Sequence, residues 1–248
     1  MSDKNIVLTE TEDYEIFDKL GDQVRKGRKK LPVGWVKAYL HKNPNKLGKP
    51  FYDGPNLILA KGREFVAQKI FQVNVKEDTT SRPDYRNHKV SHFGVGSGGA
   101  TVAGSVVTLS GPEIGDTNLY EVISLGNAAY LNEPSGYTAS GESPLVHTYT
   151  DAVKPITTDG EIFLEPVSYT SSPDYYTKVK CTCVIPAGEP TMIDPAAAVE
   201  ISEAGLYFVD SSLADVDSNK VHTFAHICFA PKYKEKESQL TIFWYILA

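Results

Sequence analysis

The sequence predicts a mainly β protein of the α+β class: an antiparallel β-sandwich-like domain with one packed helix and an extended N-terminal arm. Three observations lead there. Short stretches of β-branched and aromatic residues alternate with turn clusters from His88 onward. The 19 glycines and 15 prolines punctuate those stretches more than they interrupt long helices. The run Leu240-Thr241-Ile242-Phe243-Trp244-Tyr245-Ile246-Leu247 is so continuously apolar that it fits a strand covered on both faces. With 248 residues, 41% hydrophobic and 23% charged, the chain is long enough to bury a core and unlike a disordered one.

Residues 1–50 read as a basic arm. They carry 11 Lys and Arg against 7 Asp and Glu, whereas residues 51–248 carry 14 against 24. Between Lys19 and Lys49 ten basic residues face one acid, Asp22. Such an arm on an acidic body can hold nucleic acid or a neighbouring copy, and the missing aromatic interleaving favours protein. Within it, Glu10–Lys26 is a short helix candidate, with Tyr14, Phe17, Leu20 and Val24 near one face. A further short element is expected at Trp35–Leu40.

The β-rich domain, residues 51–248, is expected to open with a helix over 56–71, entered through Gly54-Pro55, with Leu57, Ala60, Glu64, Ala67 and Phe71 on one side and Ile58, Phe65 and Ile70 broadening the apolar surface. A strand is expected at His88–Phe93, then the glycine loop Gly94-Val95-Gly96-Ser97-Gly98-Gly99-Ala100. Because that loop leads into β-rich sequence rather than a helix, it reads as a turn for close backbone packing and not as a phosphate cradle. Further strands are expected at Leu119–Leu125, Ile162–Val167, Thr177–Ile185 and Gly205–Val209. In the third of these, Val179, Cys181, Cys183 and Ile185 share a face. Val221–Ala248 reads as two strands either side of the charged link Lys232–Glu237, a closing hairpin.

Chemistry-bearing patterns are thin. His88/His92 and His222/His226 have i, i+4 spacing, which would pair ligands on a helix; on a strand it parts them by about 13 Å. Cys181-Thr182-Cys183 with Cys228 makes an odd set, read as reduced thiols in the fold. Glu161, Glu165, Asp174, Asp194, Glu200, Glu203, Asp210, Asp215 and Asp217 show no acid/base spacing and read as solvated carboxylates, and no nucleophile elbow is present. No catalytic, cofactor-binding or metal residue is assigned, and no cofactor. No signal segment and no run of 18 apolar residues calls for secretion or a membrane.

Four stretches taken together resemble structural proteins of tailed-bacteriophage virions: Gly62–Phe71; His92–Ala100 with Gly115-Asp116-Thr117-Asn118-Leu119; Ile201–Tyr207; and Phe224–Phe229 leading to Leu240–Ile246. In that group a helix with a Gly-Arg signature precedes a glycine loop and an acidic-Thr-x-Leu turn, and a Trp-containing strand comes last. The resemblance runs over roughly residues 56–248. It implies an assembly subunit repeated around a ring at the neck and collar, tail, baseplate or capsid surface, made in the host cytoplasm. Its partners would be its own copies and neighbouring virion proteins. It implies no catalytic residues. Two other classes stay open: a receptor- or carbohydrate-binding module using tyrosines such as Tyr169, Tyr175 and Tyr176, and a hydrolase with two carboxylates in one cleft.

Overall fold

The computed structural model of the chain describes residues 10–26, 33–43, 46–71, 84–123, 154–155, 158–163, 178–188, 198–210 and 221–247. In chain order its elements are α1 (Glu10–Arg25), β1 (Val33–His41), β2 (Tyr52–Ile58), α2 (Ala60–Phe71), β3 (His88–Gly96), β4 (Ala100–Ala103), β5 (Val106–Leu109), β6 (Lys154–Pro155), β7 (Thr158–Phe163), β8 (Lys178–Ile185), β9 (Val199–Asp210), β10 (Val221–Lys234) and β11 (Gln239–Leu247). The protein is mainly β, with two helices among the described residues, and the strands described there all pair antiparallel.

The chain divides into two compact units. The first comprises Met1–Asn56, Ile156–Ala187 and Glu237–Ala248. Its strands run in the order β2-β1-β11-β8-β7. As its sequence demands, β11 is central: it pairs along its whole length with β1 on one side and β8 on the other, and all its described side chains after Gln239 are buried. On one face Tyr39, Phe243, Tyr245 and Leu247 pack against Ile16 and Leu20 of α1. Lys180 reaches the same face, its Nζ 5.0 Å from the Phe243 ring centre, where a cation gains from the aromatic quadrupole. Trp244, Ile246, Cys181 and Cys183 alternate onto the other face. Of the face expected for Val179, Cys181, Cys183 and Ile185, the last three are buried and Val179 is half-buried.

Three expectations change here. The segment 1–50 is not an extended arm where it is described, since Val33–His41 is hydrogen-bonded between β2 and β11. Counting lysines could not reveal this, because Val36 and Ala38, on either side of Lys37, are wholly buried. Nor is Val221–Ala248 a hairpin. β10 pairs with β9 and the end of β2, while β11 pairs with β1 and β8. Finally, Asn56–Ile58 belong to a strand, so the helix starts at Ala60 rather than at 56.

The second unit, Leu57–Pro155 with Gly188–Lys236, is built on the order β6-β3-β9-β10, with Leu57 and Ile58 pairing to β10. The helix α2 lies on β10 through Gly62, where an added Cβ would collide with the Phe224 carbonyl oxygen. Among its described residues Gly62, Phe65 and Gln68 are buried; Phe65 belongs to the expected apolar surface, whereas Ala60 and Ala67, expected on the packed side, are exposed. Phe65 stacks on Phe208 at 4.7 Å. Gln68 Oε1 accepts the Tyr85 backbone N–H at 2.7 Å, bringing Tyr85 into a ring cluster with His88, Phe208 and His222. β4 and β5 form a separate two-stranded hairpin turning through Gly104-Ser105, with Gly104 at φ 63° as a tight primed turn requires.

Candidate functional site

The polar centre of the second unit is set by the register of β9 and β10. Cys228 lies directly opposite Glu203 and His226 opposite Gly205, so Glu203, His226 and Cys228 project from the same face. A Cβ at Gly205 would come within 3.1 Å of Leu119 Cδ2 and 3.3 Å of the Ala225 carbonyl oxygen, so this position is crowded by the 119 segment and β10. Glu203, His226 and Cys228 are all buried, the first two completely.

A wholly buried carboxylate is tolerable only when its oxygens are satisfied. Glu203 Oε1 accepts the backbone N–H of Gly98 at 3.0 Å and of Glu121 at 2.8 Å. Its Oε2 accepts the Tyr120 N–H at 2.9 Å and lies 2.9 Å from His226 Nε2. One side chain thereby ties together the glycine loop, the segment 119–121 and two strands. His226 Nδ1 lies 3.3 Å from Asp116 Oδ2, so the ring sits between two carboxylates; a neutral imidazole donates to one of them and an imidazolium to both. Cys228 Sγ is 3.6 Å from His226 Nε2. Burial first, then the charges of Glu203 and Asp116, push the Cys228 thiol up to about 12, so it stays protonated.

Tyr120 covers the group. Its ring lies edge-on to His226 at 5.1 Å, and its hydroxyl is 3.0 Å from Asp116 Oδ2 and 2.9 Å from the Gly111 carbonyl. Burial, with the Asp116 hydrogen bond next, raises this phenol to about 12. The turn Asp116–Leu119 is fastened on the same side. Tyr207 donates to Asn118 Oδ1 at 3.0 Å, Thr223 donates to the Thr117 carbonyl at 3.0 Å, and Leu119 packs with Tyr207 and Val209.

The glycines answer to this crowding. A Cβ at Gly99 would strike the Ser202 carbonyl, and one at Gly96 would strike Glu203 Oε1 and the Glu121 carbonyl. Ser97 donates its N–H to the Glu121 carbonyl at 2.8 Å, and Ser202 Oγ donates to the Ser97 carbonyl at 2.7 Å. Close backbone packing is therefore the geometry of the loop, as its composition suggested.

Glu203, read from sequence as one solvated carboxylate among many, is instead wholly enclosed. The i, i+4 histidines of each pair stay apart along their strands, but His88 and His222, from different pairs, meet with ring centres 5.7 Å apart. Neither contact has a signal in linear spacing. Glu165, Asp174, Asp194, Asp215 and Asp217, with Tyr169, Tyr175 and Tyr176, lie outside the described residues.

The donor atoms of Glu203, His226 and Cys228 lie within 4.8 Å of one another, a set able to hold a metal ion. No protein-family model, curated protein or solved structure matches the chain.

Proposed function

We propose that the protein is a structural subunit of a tailed-bacteriophage virion that assembles, without catalysis, into a ring or collar at the head-to-tail, neck or tail region. The observation that carries the reading is the β4–β5 hairpin. Every residue from Thr101 to Leu109 is exposed, including Val102, Val106 (61%), Val107 and Leu109. Ile114 and Tyr120 add further exposed apolar surface. A short, two-stranded β-hairpin with β-branched residues on its surface is unstable alone and suits insertion against another chain.

The sequence resemblance supplies the setting, since its glycine loop and Asp-Thr-x-Leu turn are the segments that Glu203 and its neighbours hold together. Glu203 accepts three backbone N–H groups in addition to its contact with His226, which suits a clamp better than an acid or base. Mass spectrometry of density-purified particles from the phage that encodes the chain tests the reading, together with immunogold labelling at the neck and tail. Stoichiometric, localised incorporation is expected. Absence from purified particles overturns it.

A further inference from the structure

Independently of any role in assembly, we propose that Glu203 Oε2, His226 Nε2 and Cys228 Sγ bind one divalent cation of the zinc class, with Asp116 orienting His226 from behind. The strand register delivers all three donors to one face, and they converge within 4.8 Å. The spacing is close to what such an ion needs. Tetrahedral zinc, with bonds of about 2.3 Å to sulfur and 2.0–2.1 Å to nitrogen, places those two atoms about 3.6 Å apart. Cys228 Sγ and His226 Nε2 are 3.6 Å apart. The Glu203 to His226 separation of 2.9 Å must open by a few tenths of an ångström, to about 3.3 Å, when an ion replaces the hydrogen bond.

The donor chemistry selects the ion. A thiolate with an imidazole and one carboxylate favours zinc and its relatives over magnesium or calcium, which take oxygen ligands. The surroundings are those of an oriented ligand set. Asp116 Oδ2 stands 3.3 Å from the ring nitrogen that would not bind the ion, the carboxylate–histidine–metal arrangement. The backbone donors of Gly98, Tyr120 and Glu121 hold the Glu203 carboxylate in place.

On binding, the ion displaces the Cys228 thiol proton, which is released to solvent. With a neutral ring, the imidazole proton resides on Nδ1, facing Asp116; with an imidazolium, the Nε2 proton is released as well. Three protein ligands leave a fourth position for water or another ligand.

The test uses the full chain, freed of metal and titrated with Co2+ and then Zn2+. One Co2+ per chain with a thiolate-to-cobalt charge-transfer band is expected, displaced by Zn2+, with Tm raised by Zn2+. Cys228→Ser, which keeps the side-chain volume, should abolish the band and the Tm shift, its metal-free unfolding curve reporting that it folds. Asp116→Asn should weaken Zn2+ affinity about 10- to 100-fold. A wild-type chain with neither band nor Tm shift overturns the proposal. So does a band that survives Cys228→Ser and disappears in Cys181→Ala or Cys183→Ala.

Discussion

Glu203 on β9 and Cys228 on β10 stand directly opposite each other across the sheet, and the carboxylate of the first lies within bonding distance of four donors from the glycine loop, the segment 119–121 and β10. The pair marks where the second unit gathers its long-range connections: residues 98, 120, 121 and 226 converge on position 203.

Replacing Glu203 with alanine leaves the N–H groups of Gly98, Tyr120 and Glu121 without this acceptor and removes the carboxylate beside His226. Urea unfolding should show a loss of about 3–5 kcal/mol, the range for breaking a buried pair on one side. A loss below about 1 kcal/mol would mean that the clamp holds nothing in place.

Trp244 is fully buried in the central strand of the first unit, and its indole N–H finds no acceptor among the described residues. Trp244→Ala should cost about 3–5 kcal/mol through the cavity it leaves. Trp244→Phe keeps an aromatic ring and discards the unpaired donor, so it should cost distinctly less. Chemical denaturation of the two variants side by side reads the difference; equal losses would mean that the cost does not follow the size of the cavity.

His222 sits against Tyr85, His88 and Phe208, and burial, then Lys61 and His88, lowers its pKa to about 4. Its folded value thus lies below its unfolded value near 6.5, so the unfolded chain binds the proton more readily between the two. Stability is fully present above about pH 6.5 and is lost as the pH falls towards about 4. His222→Phe should flatten that part of the stability profile in thermal melts run from neutral pH down through this window. An unchanged slope would assign the acid sensitivity to other groups.

The hairpin of β4 and β5 is exposed throughout, so Val106→Lys combined with Val107→Glu should change stability by no more than about 0.5 kcal/mol. Self-association by sedimentation velocity, or incorporation into particles, should fall sharply. Equal association of the double variant and the wild type would remove the hairpin from the interface.

The sequence by itself determined the β-rich α+β class, the first helix, the buried final strand and the alternating face of Cys181, Cys183 and Ile185. Each of these is written in local periodicity: a helical repeat through Leu20 and Val24, a two-residue repeat in β8, an unbroken apolar run in β11. The glycine loop was legible as a close-packing turn for a similar reason, because it runs on into β sequence and not into a helix.

Tertiary structure decided which strands pair, and with that the candidate site. Val33–His41 became an interior strand because β11 is apolar on both faces and needs a partner along each edge; a charge count is blind to that requirement. Likewise, Glu203 and Asp116 are ordinary acids in the linear chain. They become a buried clamp around His226 only when the β9–β10 register sets position 203 against 228 and carries Gly98, Tyr120 and Glu121 to the same carboxylate. The physical reason is that periodicity reports burial of a face, whereas pairing and register arise from contacts between residues about 20 to 210 positions apart, which no local pattern encodes.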